Sequence, residues 1–460
     1  MVGPSAARDS WSGAAPVPFW LDRADRPPAR PALDAPLSTD LAVVGGGFSG
    51  LWTALLAKER DPGRQVVLLE ADRVASAATG RNGGFCAASL THGDANGRAR
   101  FPHEFAALDR LGRQNLDEIE AAIGRYRIAC DFERTGSLSV ATQPYQVDHL
   151  AAAGGELLGQ DEVRAQVNSP TYLAGVWERD DTALLDPARL AWGLADAAES
   201  LGAQIAEHSG VTRIERSGQH LRLHTQTGAV VTARNVALGT NAFPPLVRRM
   251  RWHTVPVYDY VLVTEPLTPA QLRSVGWHNR QGLDDLSNQF HYYRLTADNR
   301  ILWGGYDAIY YFGRTIKPAY DQRPATFQRL AEHFFTTFPQ LEGIRFSHRW
   351  GGAIDTCTRF CAFYGTAYAG QAAYAAGYTG LGVGATRFGA NVMLDLLARE
   401  PTERSELAMV HTKPLPFPPE PLAYLGIQLT RWSLDRADQH AGKRNVWLRM
   451  LDRLGLGFDS

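Results

Sequence analysis

The chain has 460 residues, 45% hydrophobic and 21% charged, with a formal net charge of −1. That length exceeds what one hydrophobic core usually supports, so about two domains are expected. Balanced charge offers no basic surface for nucleic acid or an anionic membrane, no apolar run is longer than a strand and no secretory signal is visible, so a soluble cytoplasmic protein is expected.

Residues 1–38 are rich in Pro, Ala, Arg and Asp, with Phe19-Trp20-Leu21 as the apolar anchor. They read as an extended arm that wraps the body or is partly disordered. An apolar strand at 41–44 then meets Gly45, Gly47 and Gly50, which fit G-x-G-x-x-G and open a helix carrying Leu51, Ala54 and Leu55 on one face. The first glycine lets the chain turn, the second lets backbone approach a pyrophosphate, and the third lets helix pack on strand. A second strand at 66–69 ends in Glu70, placed to bond ribose hydroxyls.

A loop follows over 71–90, then an amphipathic helix near 105–126 and a hairpin strand over 132–142 bending at Gly136. Asp186-Pro187 starts a helix with Leu190, Leu194 and Ala197 on it. Short strands are expected at 203–207, 221–225 and 230–238, and an aromatic-rich sheet at 257–264, 290–295 and 300–304. A helix at 325–335 precedes a second glycine-rich turn, 377–384, which opens a helix over 385–397. The stretch 422–456 is amphipathic, with Trp447, Leu448, Leu451 and Leu454 sharing a face that packs against the body. Cys86, Cys130, Cys357 and Cys361 are too few for a disulfide scaffold, and no histidine cluster completes a metal site around the last two.

Two glycine-opened helices far apart in one chain suit a flavin better than a nicotinamide. The first serves the pyrophosphate. The second offers backbone N–H groups to the negative charge that reduced flavin carries at its pyrimidine end.

These segments, with Thr79-Gly80-Arg81-Asn82-Gly83-Gly84 and Trp303-Gly304-Gly305, resemble the FAD-dependent amine and amino-acid oxidoreductases of the D-amino-acid oxidase superfamily, most of all its gamma-glutamylputrescine oxidase branch. The resemblance runs over about 40–397. It implies an α/β (α+β) fold with a Rossmann-like FAD-binding domain, from 39–95, 165–250 and 350–400, and a discontinuous antiparallel-sheet substrate domain, from 96–164 and 251–349. The arm 1–38 and a helical extension, 401–460, lie outside it. It further implies that Gly45, Gly47, Ser49 and Gly50 hold the pyrophosphate, and Glu70 with Ala71 the ribose. Arg81, Asn82, Gly83 and Gly84 would line the ribityl chain and ring edge, Val211 the adenine, and Gly239 a neighbouring strand end. Gly380, Leu381, Gly382, Val383 and Thr386 would cap the pyrimidine end. Arg81 reads equally as a surface ion pair, and Asn82 as a turn former.

The implied activity is oxidation of a primary or secondary amine, possibly a polyamine derivative, by hydride transfer to flavin N5, with oxygen or another acceptor reoxidising the flavin. Two departures qualify it. No arginine stands in Gly351-Gly352-Ala353-Ile354, where amino-acid oxidases of the superfamily grip a carboxylate, although Arg294 or Arg359 could serve from elsewhere. No lysine lies at 300–305, where sarcosine-oxidase relatives carry one over the flavin. A flavin-dependent amino-acid oxidase or dehydrogenase, or a flavin-binding interaction protein without turnover, stay open. For the pocket the candidates are Tyr258, Tyr260, His291, Tyr293 and Trp303, with His291 and Tyr293 on one strand face and Tyr292 on the other. Aromatics in a sheet are mostly core, so each also reads as packing, and His291 as a satisfied structural histidine. FAD is expected to be non-covalent, with Cys86 and His92 the possible attachment points. The expected partners are a small-molecule amine and an electron acceptor, with no nucleic acid and no membrane.

Overall fold

The computed structural model describes residues 3–153 and 156–456. The first strand, Leu37–Val44, runs parallel to Val66–Leu69 on one side and to Val230–Leu238 on the other. Gln204–Ala206 and Ala372–Ala376 extend this parallel sheet at its two ends, and Phe363–Ala367 closes one edge antiparallel. The hairpin Val211–Ser217 with His220–Thr225 hangs from Val230–Leu238, completing eight strands. Leu41 and Val43 enter one core while Ala42 and Val44 enter another, so the strand reads as a continuous apolar run rather than an alternating one.

Helices Phe48–Arg60, Pro187–Ser200 and Gly382–Ala398 pack on the Leu41 side of the sheet. Asp186 accepts from the Arg189 amide and so caps the second of these, with Pro187 in its first turn. Helix Phe105–Tyr126 buries Leu108, Leu116 and Ile119 in the same core. This part of 96–164 therefore packs with the dinucleotide-type body, not with the second sheet, because its apolar stripe has its match there.

The second sheet has nine strands. Its centre is Val255–Thr264, Ile301–Gly305, His291–Leu295 and Gly282–Asp285, all antiparallel to their neighbours in that order. Ser137–Ala141 continues it in parallel to Gly282–Asp285. Phe346–Thr356 lies antiparallel along the whole of Val255–Thr264. That strand escapes the sequence reading because Gly351 and Gly352 break its apolar pattern. One face of this sheet packs Tyr260, Tyr293 and Trp303 against Phe327, Phe334 and Phe338 of helix Pro324–Thr337 and its end.

The arm departs from the expected extended form. It begins with a helix, Pro4–Ser12, whose Trp11 packs on Phe327 at 5.9 Å between ring centroids. Further along, buried Trp20 donates its indole N–H to the Asn82 carbonyl at 2.8 Å. The C-terminal segment is two helices, Leu422–Asp438 and Val446–Arg453, separated by a turn in which Ala441 and Gly442 have φ of 54° and 72°. No described helix is long and apolar enough to cross a membrane.

Candidate active site

Between the two sheets lies a cavity of about 1830 Å³. Of the residues expected around a cofactor, all line it except Gly50 and Gly84. Those two are glycines for packing: a Cβ on Gly50 would stand 1.9 Å from the Gly45 carbonyl oxygen, and one on Gly84 2.2 Å from that of Leu185. Gly45 itself has φ of +110°, and its amide donates to Leu69 as the chain turns away from the sheet.

The fit of FAD can be tested on these contacts. Helices Phe48–Arg60 and Gly382–Ala398 both begin at the cavity without a side-chain cap and without an acidic residue in the first turn. The Phe48 amide is taken by Thr79 Oγ1 at 3.1 Å, and the other N–H groups of these first turns are placed to donate to an anionic oxygen. A Cβ on Gly382 would meet nothing within 4 Å, and one on Gly380 only His92 at 4.0 Å. Gly380 has φ of +94°, which only glycine adopts readily, whereas Gly382 has open space beside it at the cavity, so backbone there is free to approach a ligand. Glu70 lies at the cavity edge, where Oε2 accepts from the Gly46 amide at 2.5 Å and Oε1 from Asp72 at 2.9 Å. Burial pushes its carboxyl up, and these amide bonds pull the other way. FAD fits this cradle.

The loop beyond Glu70 is held from several directions. Asn82 donates to the carbonyls of Ala78 and Thr79 and accepts from the Gly84 amide, so its side chain builds the turn. Arg81 pairs with Asp321 at 2.5 Å and donates to the Gly351 carbonyl, bridging loop and second sheet. Arg294 is buried beneath, donating to the Gly84, Leu185 and Leu295 carbonyls. Arg359 likewise serves the carbonyls of Cys361, Ala362, Met409 and Thr412. Neither arginine lines the cavity, so neither supplies the carboxylate grip considered for it. Asp355 accepts from the Gly377 and Tyr378 amides and shapes the second glycine turn; burial raises its carboxyl to about 7.

The second sheet presents a different face to the cavity from the one expected. Tyr260, His291, Tyr293 and Trp303 lie on the side packed against helix Pro324–Thr337, and only Tyr258 of that group reaches the cavity lining. His291 is held between Asp285 at 2.6 Å and His333 at 2.9 Å, stacked on Trp303. The cavity face carries Val257, Asp259 and Val261 from one strand, Tyr292 from another and Asp284 beside it. Tyr292 donates to Asp259 Oδ2 at 2.5 Å, and the Tyr260 amide donates to Oδ1 at 2.7 Å. Burial raises the Asp259 carboxyl to about 6 and the Tyr292 hydroxyl well above its usual value. No ion pair reaches Asp259 or Asp284 among the described residues. Gly304 and Gly83 make the room: a Cβ on either would lie 2.5 or 2.7 Å from the Tyr292 ring.

Cys86 is fully buried outside the cavity lining, its thiol pushed up to about 12, whereas His92 lines the cavity beside Gly380. The four cysteines are free, and no metal-binding cluster exists among the described residues.

A mainly parallel sheet with two helix N-termini at one cavity, faced by a mainly antiparallel sheet, is the architecture of a flavoenzyme fold. The profile of the FAD dependent oxidoreductase family matches residues 40–396, and the chain belongs to that family. Among curated proteins it is 31% identical over 407 residues to gamma-glutamylputrescine oxidoreductase of Escherichia coli K12, covering 84% of this chain and 89% of that one. Among solved structures it is similar to glycine oxidase of Geobacillus kaustophilus, with TM-score 0.68 and 19% identity over 82% of this chain and all 100% of the other. L-proline dehydrogenase of P. horikoshii gives TM-score 0.66 and 18% identity, over 81% and 96%. The chain is an enzyme of the FAD-dependent oxidoreductase class.

Proposed function

We propose that this enzyme oxidises a primary or secondary alkylamine, with the polyamine derivatives as the substrate class, to an imine. One observation carries this reading: Asp259, bridged to Tyr292 on the cavity face, is a carboxylate that no cation of the described residues pairs with. A half-buried carboxylate facing a largely apolar cavity is stabilised by a cation from outside. The name of the relative from E. coli, an amine-bearing substrate, agrees with it. Bound FAD supplies the two-electron acceptor, held by Gly45, Gly47, Ser49, Glu70, Val211 and the 380–386 turn as expected from the sequence.

The protein's own contribution is placement and proton handling. The ammonium group docks on Asp259, and Oδ1 or Oδ2 takes the proton that must leave nitrogen before the adjoining carbon can give up hydride. Tyr292, donating to Oδ2, fixes the carboxylate orientation. Val257, Val261 and Ile354 keep water from that end of the cavity.

A second reading, oxidation of an amino acid, is favoured by Lys317, which lines the cavity near Tyr320 and could hold a carboxylate. Anaerobic addition of alkylamines, diamines and amino acids to the flavin-loaded enzyme separates the two. Bleaching at 450 nm by amines and not by amino acids is expected; bleaching by amino acids alone would overturn the amine reading.

A further inference from the structure

The C-terminal helix pair has two unlike faces. Inward, Ile427, Leu434, Trp447, Leu448 and Leu451 form the outer wall of the cavity. Outward, Leu425, Leu429 and Trp432 recur at helical spacing on Leu422–Asp438, as do Val446 and Met450 on Val446–Arg453 with Leu454 at its C-cap. All six are exposed, Leu425 at 60%, Trp432 at 53% and Val446 at 74%. Scattered exposed leucines need no explanation, but two aligned stripes with a tryptophan do.

The charges around these stripes choose the partner. On residues 413–456 the exposed cations are Lys413, Arg436, Lys443, Arg449 and Arg453. The one exposed acid there, Asp452, is neutralised by Arg444. The remaining acids turn toward the body: Asp438 accepts from Asn288, Asp435 from Tyr306 and Glu420 from Tyr310. An apolar stripe rimmed by cations, on a chain of net charge −1, is a local device and not a property of the whole surface. A second copy is a poor occupant, since a two-fold contact would set these cations against each other. An anionic lipid surface satisfies both halves: leucines and tryptophan enter the acyl boundary while Arg and Lys meet headgroup phosphates.

We propose that the helix pair is a peripheral docking element for an anionic membrane surface, which places the outer wall of the cavity at the bilayer. This is independent of the substrate reading and goes beyond the expectation, drawn from overall charge and hydropathy, that no membrane takes part.

The test is co-sedimentation of the full-length, flavin-loaded protein with vesicles of phosphatidylcholine, with and without 30% phosphatidylglycerol. At least tenfold stronger partitioning to the anionic vesicles is expected, reversed by high salt. A variant carrying L425Q, W432Q, V446Q and M450Q should lose at least tenfold while keeping its flavin content and anaerobic bleaching. These residues are outside the cavity lining. The wild-type comparison stands alone should that variant fold poorly. Equal recovery in the supernatant with both vesicle types would overturn the proposal. So would a wild-type dimer in sedimentation equilibrium that becomes monomeric in the variant, because a second copy would then cover the face.

Discussion

Gly50 and Gly382 belong to motifs of the same composition but have opposite reasons to be glycine. Alanine at Gly50 drives a methyl into the Gly45 carbonyl at 1.9 Å, and backbone cannot retreat as a side chain can. A loss of roughly 3 kcal/mol or more is expected, read as a fall in the urea midpoint. Alanine at Gly382 meets nothing in the protein, so the flavin-free midpoint should stay within about 0.5 kcal/mol while FAD affinity falls severalfold. Equal effects at both sites would refute the assignment of the second turn to the cofactor. Asp259 has its own signature. Asp259→Asn should raise KM for cationic amines roughly 10–100-fold, the span of one hydrogen bond to a charged group. With the carboxyl raised to about 6, amine binding by the wild type should strengthen as pH rises through 6, and the variant should lose that dependence. Neither Asp259 nor Tyr292 is among the sequence candidates. Alternation does put His291 and Tyr293 on one face and Tyr292 on the other, but which face meets the cavity depends on where helix Pro324–Thr337 packs. The available signal was Gly304, opposite Tyr292 in the strand register and leaving room for its ring.

At the level of elements, the parts legible in sequence are those whose cause is local. The first strand, glycine turn and helix follow from a contiguous pattern, as does the Asp186-Pro187 helix start. Parts that depend on distant partners were not legible: the arm helix, the strand Phe346–Thr356 and the allegiance of Phe105–Tyr126. The second glycine turn combines both, because Asp355 in one strand holds the amides that begin the turn. Its folded carboxyl, raised from 3.8 to about 7, binds protons that the unfolded chain has already released. Stability of the flavin-free protein contributed by this group is therefore full below pH 4 and lost as pH rises toward 7, by at most about 4 kcal/mol. Thermal unfolding of Asp355→Asn against wild type across pH 4–8 should show the difference growing with pH in favour of the variant. A difference growing the other way would mean the carboxylate is held ionised. Trp20→Phe tests the arm: it keeps one aromatic ring but deletes the N–H on the Asn82 carbonyl and leaves a small void, and should cost about 2 kcal/mol in the urea midpoint.

For the whole molecule, the cavity between the two sheets makes the cofactor part of the interior. Adding FAD at a thousandfold excess over its dissociation constant should stabilise the fold by about 4 kcal/mol, visible as a raised melting temperature. A melting temperature indifferent to FAD would contradict the cradle. The cradle also has a history in time. Gly45 abuts Gly239, and the pyrimidine-end turn reaches only to Thr386. A ribosome adding about 5–20 residues per second needs roughly 20–70 s to pass from Gly45 to Thr386. Through that interval the glycine loop exists without its opposite wall, and the nascent chain must keep an unfinished, largely apolar hollow from finding other partners. Flavin capture by the complete cradle is thus a late event, open only once the chain has passed Thr386.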